Sequence, residues 1–261
     1  MTRNRLWLLL AVCALPVLSG CGGGGDEETQ TNEAPAEAPA AGAAAVDTAN
    51  AGKVTGAITY AGPDTDTPIA MNADPTCAGL HSTPVDTNAI ALKDGKLGNV
   101  FVYVKTGLEG KTFPTPTEKK TIDQQGCLYH PRIQGIQVGQ ALVIKNSDST
   151  LHNIHALPTA NAEFNQSQPF QNMEFEKTFD KQEVMLHFKC DVHPWMSSYI
   201  GVLPHPYYAV TGDDGTFTID KLPPGNYTLE AWHETLGTMT QDITVAANGT
   251  ATANFDFKPK A

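Results

Sequence analysis

Short runs of alternating apolar and polar residues, separated by turn residues, recur from residue 53 onward, and no stretch of a dozen residues keeps an apolar stripe of period 3.6. Such a chain can bury one face only as strands, so the expected class is all-β. Residues 53–60 read as a first strand, 100–105 as another, and 136–145 as a longer pair broken at Gly139. A tight hairpin is expected between 207–211 and 216–219, because Asp213-Asp214-Gly215 supplies a glycine where φ must be positive. The two aspartates there read as a solvated turn rather than a calcium site. Pro223-Pro224-Gly225-Asn226 leads into a strand at 227–232, and Asn248-Gly249 joins the last two strands.

The first 52 residues look unlike the rest. Arg3 and Arg5 precede an apolar run over residues 6–15, which has the order of an export leader and is too short to span a bilayer. Residues 21–52 hold four consecutive glycines, then Ala, Pro, Glu and Thr in low-complexity order, with six acids and no base. Such a composition cannot bury enough apolar surface to offset chain entropy, so a disordered linker is expected. Without the leader's arginines, the part from residue 53 carries 15 bases against 22 acids, a net charge of −7. That sign argues against nucleic acid as a partner and against broad contact with anionic lipid.

Five cysteines divide the chemistry. Cys13 lies in the leader, and Cys21 follows it. Cys77 and Cys127 are expected to pair as a disulfide in an oxidising compartment. The alternative is a second metal site, since Cys77-x-x-x-His81 and Cys127-x-x-His130 each bring an imidazole. Cys190 belongs to the strongest signal in the chain, Phe188-Lys189-Cys190-Asp191-Val192-His193-Pro194-Trp195-Met196. It offers a thiolate, an imidazole and a thioether within seven residues. Val184, Leu186, Phe188 and Cys190 alternate with Met185, His187 and Lys189, which places the sulfur at the buried end of an apolar strand face. A metal that deprotonates a buried thiol makes this cluster sensible.

Soft sulfur with imidazole favours copper, and two His with one Cys and a weak axial Met is a blue-copper set. Tetrahedral zinc is the rival, disfavoured because Met is a poor zinc donor. A second imidazole comes from Leu151-His152-Asn153-Ile154-His155. Residues three apart on a strand face opposite ways, so only one of His152 and His155 reaches the metal. His81, His187, His205 and His233 have no paired spacing.

Three resemblances sharpen this reading. Leu18-Ser19-Gly20-Cys21 resembles a bacterial lipobox, which implies a leader of residues 1–20, cleavage before Cys21, lipid on its thiol, and a protein tethered to a membrane of the cell envelope, facing the periplasm or the exterior. An ordinary secreted protein cut nearby is the alternative. Residues from about 130 to 204 resemble a cupredoxin, with a Cys-x-x-His-x-x-Met loop as short as that of amicyanin, a polar turn Asn146-Ser147-Asp148 before His152-Asn153-Ile154, Gly139 between two strands, and a closing strand through Gly201-Val202-Leu203. That likeness implies one type 1 copper ion held by His152, Cys190, His193 and Met196, with His155 a bystander. It also implies that Asn153 braces the ligand loop and that Phe188 is the aromatic residue usual two before the cysteine.

Residues 209–217 with Leu222-Pro223-Pro224-Gly225-Asn226-Tyr227 resemble the carboxypeptidase regulatory-like, transthyretin-like β-sandwiches, whose opening Gly-x-Val-x-Gly strand is matched by Gly52-Lys53-Val54-Thr55-Gly56 far upstream. A sandwich of 53–115 and 205–261 with a Greek-key copper domain of 116–204 inserted reconciles the two, and a tandem order is the alternative. Residues 97–130, with Pro114, Pro116, Cys127 and His130, depart from the cupredoxin pattern and blur that edge.

Four protein ligands leave no open position for substrate, so one-electron transfer is expected rather than catalysis. Copper delivery, storage or sensing is the second reading, motivated by the further donors Met173, Met185, His155 and His205. A structural or adhesive β-module is the third. An oxidase is the least favoured reading, because the chain has no His-x-His pairs with which to build a coupled copper cluster. Trp195, with Pro194 and Leu151, is expected either to form an apolar patch where a redox protein docks or to pack against the neighbouring sandwich.

Overall fold

A computed structural model describes residues 44–46 and 48–259. The leader, Cys21 and nearly all of the linker lie outside the described residues, so the lipid-anchor expectation falls there too. The end of the expected linker is strand-paired: Ala44–Ala45 runs parallel to Lys111–Thr112. Main-chain pairing needs no particular side chain, which is why composition did not disclose it.

The described chain is nearly all β. Four larger sheets carry it, and they segregate by sequence. In one, the order is Glu174–Lys177, Leu142–Asn146, Lys120–Gln125, Leu128–His130. In the second it is Phe164–Gln168, His152–Leu157, Glu183–Lys189, Ser197–Leu203, Ile133–Gln137. Between them lies a core that includes Ile122, Ile136, Ile144, Ile154, Leu186, Phe188 and Val202. The third sheet orders Tyr208–Val210, Phe101–Thr106, Gly225–His233, Gly237–Val245. The fourth is built on Gly52–Tyr60, which pairs with Thr216–Leu222 on one edge and, in parallel, with Thr250–Thr252 and Phe255–Phe257. Val54, Ile58, Val102, Val104, Leu229 and Phe255 fill the space between these two.

Two expected connections differ. Tyr208–Val210 pairs with Phe101–Thr106, whereas Thr216–Leu222 pairs with Gly52–Tyr60, so Gly212 to Gly215 does not close a hairpin but carries the chain from one layer to the other. Gly215 does take φ +67°, and the turn is tight. Likewise Asn248-Gly249 leads from Gly237–Val245 into a strand that joins the other sheet. Turn chemistry specifies the local bend; which edge is free to receive the next strand is decided by packing.

The expected alternation along residues 184–190 holds only from Leu186. Met185 has φ +61° and the ladder to Ser197–Leu203 shifts register between Glu183 and Leu186, a bulge that turns Val184 and Met185 toward a different cluster. That cluster, with Phe101, Tyr103, Ile133 and Leu203, lies between the two cores. Gly135 and Gly201 are cross-strand partners there. A Cβ on Gly201 would sit 2.3 Å from the Phe101 ring and one on Gly135 2.3 Å from the Tyr208 ring, so the bare backbone forms a flat seat for two stacked aromatics.

Residues within 53–115 divide between the cores. A turn of 3-10 helix, Met71–Ala73, and a short helix, Pro75–Gly79, depart from the pure strand reading, and Met71 and Cys77 pack into the core of residues 120–203. This segment caps one end of that core, beside the loop that follows Glu183–Lys189.

Candidate metal centre

Strand Glu183–Lys189 delivers Cys190 to the inner end of its buried face, 2 % exposed and the free thiol among the described residues. The following loop folds back on itself: the Met196 N–H donates to His193 O at 3.0 Å and the Cys190 N–H to Met196 O at 3.3 Å. The His193 N–H donates to the Cys190 sulfur at 3.3 Å. Met196 is fully buried in the core that holds Cys190 and Phe188. The Phe188 ring forms a wall with Phe164 and Phe179, each 6.2 Å away between centroids.

His152, fully buried at the start of its strand, comes to the same point. Its Nδ1 lies 2.9 Å from His193 Nδ1, and the Cys190 sulfur lies 3.9 Å from that same His193 atom. Donor atoms of His152, Cys190 and His193 all fall within 4.8 Å of one another. His155 faces the other way, its nitrogens engaged by Asp191 at 3.0 Å and Glu163 at 2.8 Å.

The far nitrogens decide what the near ones offer. His152 Nε2 donates to Asp148 Oδ2 at 2.9 Å, and His193 Nε2 donates to Asp74 Oδ2 at 3.0 Å. With both Nε2–H groups committed to carboxylates, both Nδ1 atoms present lone pairs to the space beside the sulfur. Without a metal, two imidazole nitrogens 2.9 Å apart and a sulfur can converge in a buried site only by sharing a proton, and a metal cation can take that proton's place. The donor set therefore fits a metal, and its sulfur and nitrogen softness fits copper.

Electrostatics agree. Burial alone would raise the Cys190 thiol, but hydrogen bonding with His152 and with nearby backbone amides outweighs it and holds the thiol below its usual range. Burial opposes charge on His152, yet Asp148 and the Cys190 sulfur hold it above the usual range. Asp74 is held low, first by its bond to His193. Asp148 pays a desolvation cost that His152 and the N–H groups of Cys127 and Gly126 reverse, so it too is held low.

Asn153 Oδ1 accepts the Asp191 N–H at 2.8 Å and the Cys190 thiol at 3.2 Å, tying the His152 strand to the ligand loop. Tyr129, whose phenol is pushed far up by burial, donates to Asn153 O at 2.5 Å beneath it.

Cys77 and Cys127 form a disulfide. The imidazoles of His81 and His130 do not join those sulfurs: each bonds a backbone carbonyl, that of Gly126 at 2.7 Å and that of Gln125 at 3.1 Å. Instead, the Cys77 sulfur lies 3.5 Å from His193 Nε2. The further donors are scattered as well. Met185 packs in the intermodule cluster, and His205 bonds Val104 O at 2.9 Å.

Trp195 stands beside the centre, its ring centroid 5.1 Å from that of His193 and its Nε1 donating to Cys127 O at 2.9 Å. With Ile69, Ala70, Ala73, Val192 and Pro194 it lines a largely apolar groove of about 610 Å³. Leu151 is exposed and does not line it.

Asp74 and Asp148 are the residues that sequence reasoning missed. Asp74-Pro75 is a helix-start signature, and Asp74 does cap Thr76 and Cys77 through Oδ1. Nothing in that signature says where its second oxygen points.

Known proteins share parts of this chain. Residues 202–258 match the carboxypeptidase regulatory-like domain. Among solved structures, a mutant of amicyanin in its Cu(I) form is similar over 32% of this chain and 81% of that one, at 19% identity and a TM-score of 0.29. A purple cupredoxin from Nitrosopumilus maritimus is similar over 32% of this chain and 98% of that one, at 24% identity and 0.28. A copper-containing nitrite reductase from Thermus scotoductus is similar over 39% of this chain but only 25% of its own, at 20% identity and 0.32. No curated protein matches the sequence.

Proposed function

We propose that this chain is an exported type 1 copper protein, tethered through lipid on Cys21, that transfers single electrons in the bacterial cell envelope and is not an enzyme. The observation that carries the reading is the convergence of His152 Nδ1, His193 Nδ1 and the Cys190 sulfur, with each far nitrogen held by a carboxylate. Met196 completes the set as a weak axial donor. Copper held there would supply a one-electron couple.

The chain's own residues do the rest. Asp148 and Asp74 fix both rings in one tautomer, so the Nδ1 lone pairs need no rearrangement to face a cation. The backbone N–H groups of His193 and Asn153 donate to the sulfur and hold it in place. Phe188, Phe164 and Phe179 keep water from its inner side. A frame this fixed favours electron transfer over ion delivery, which needs ligands that let go. The redox partner docks on the groove beside Trp195, and the domain arrangement is a copper module of residues 116–204 inserted into the carboxypeptidase regulatory-like sandwich. No helix among the described residues is long and apolar enough to cross a membrane.

The deciding experiment is the optical and spin-resonance spectrum of the Cu(II) form. A strong thiolate charge-transfer band at about 600 nm is expected. Cu(II) bound without that band would refute electron transfer and leave delivery standing.

A further inference from the structure

The disulfide lies against the outer edge of the same imidazole whose inner edge faces the Cys190 sulfur. His193 Nε2 is 3.5 Å from the Cys77 sulfur, and one donor atom from each of Cys77, Cys127 and His193 falls within 4.8 Å of the others. All three residues are buried, and both cysteines are wholly so. Each is held by its frame rather than by the S–S bond alone. The Cys77 N–H is capped by Asp74 Oδ1 at 3.2 Å. The Cys127 N–H donates to Asp148 Oδ2 at 2.7 Å, and its carbonyl accepts Trp195 Nε1. Two sulfurs kept together in this way remain a chelating pair after the bond between them is cut.

We propose that the reduced pair Cys77 and Cys127, with His193 Nε2, forms a second site for a soft monovalent metal, Cu(I), and that disulfide formation closes it. An external dithiol supplies two electrons and two protons, the S–S bond breaks, two thiols form, and the dithiol leaves as its own disulfide. One Cu(I) then replaces the two thiol protons, which pass to solvent. Two thiolates and one imidazole are a donor set of the kind Cu(I) takes readily. A buried thiolate pair is costly by itself, and the metal's charge offsets that cost. His193 bridges the two sites as an imidazolate, Nδ1 to the first and Nε2 to the second; its Nε2 proton, until then bonded to Asp74, passes to solvent as a third proton when the second site fills. This site does not depend on the copper reading of Cys190.

Anaerobic Cu(I) titration of the whole chain against a chromogenic Cu(I) chelator tests it. The expected result is one Cu(I) per chain in the disulfide form and two after phosphine reduction and removal of the phosphine. Cys190→Ser should take none in the disulfide form and one when reduced, so a failure of the first site shows up separately from a failure of the second. The double variant Cys77→Ser with Cys127→Ser should stay at one in either condition, with near-ultraviolet circular dichroism verifying that it folds. His193→Ala should weaken the reduced pair's hold by about tenfold or more. A reduced wild-type chain that binds one Cu(I), or a double variant that binds two, overturns the proposal. An unchanged second affinity in His193→Ala overturns the shared imidazole.

Discussion

Among the described residues, twelve buried polar side chains lie between residues 120 and 203, and four more between residues 205 and 233. Both regions are layered β-sheets of similar strand length, yet they close in different ways. The flanking sheets meet through Val54, Ile58, Val102, Leu229 and their neighbours, an interior that needs no partner beyond close packing. In the region between, His152, Asp148, Asn153, His193, Asn146, Gln124 and Gln168 are buried with hydrogen bonds to one another or to neighbouring loop and strand groups. Such a network is costly if half made, and it belongs where chemistry requires polar atoms in a dry place. One region supplies rigidity that tolerates change of composition; the other supplies an arrangement that does not.

The sharpest way to break that contrast is Cys190→Ser. It should abolish the thiolate band of the Cu(II) form and cost several kcal/mol of metal affinity, while thermal unfolding of the apo chain moves little. Leu229→Ala is the converse. Deleting this fully buried side chain should cost about 3 kcal/mol of stability, read by denaturant titration, with the spectrum of the copper form unchanged. A loss of the band in Leu229→Ala would show that the two regions are not separable. Asp148→Ala is intermediate: it frees His152 Nε2 and leaves the Gly126 and Cys127 N–H groups unpaired, so metal affinity should fall by about 10- to 100-fold in a competition assay.

Acid should act on both regions, through different groups. His205 is buried and neutral, donating from Nε2 to Val104 O and accepting the Tyr207 N–H, and burial pushes its pKa down to about 4. The unfolded chain therefore binds the proton first, and His205's contribution to stability is complete above the ordinary histidine range and declines as pH falls toward 4. Glu183 accepts the N–H groups of Ala160 and Asn161 along with that of Thr159; these outweigh its burial and hold it at about 2. Its contribution is complete above the ordinary carboxylate range and is lost as pH falls toward 2. Glu183→Gln should cost about 1–2 kcal/mol at neutral pH and flatten the stability profile in that lower window, the smallest of these effects.

Much of the cluster was legible because its proposed ligands lie on one short loop and one strand. The spacing from Cys190 to Met196 fixes three donors within a single turn, and alternation along residues 186–190 fixes which face the sulfur takes. Parity along the strand separates His152 from His155. What was not legible lies at a distance. Asp74 and Cys77 come from a segment with no periodicity, and only the folded chain shows that it covers His193. The layer crossings at Gly215 and Asn248 were missed for a related reason, since a turn motif describes a bend and not the sheet edge that waits beyond it.

Gly52–Tyr60 takes its parallel neighbours from residues 250–257, nearly two hundred positions later. During synthesis the intervening strands emerge before residues 250–257, with every proposed ligand among them, while the outer sheet still lacks the pieces that seal it. Assembly is thus nested like a parenthesis, and long-range closure of this kind is slow. A chain interrupted near residue 204 would carry the whole donor set on an unfinished scaffold, so loading such a fragment with metal separates assembly of the centre from completion of the molecule.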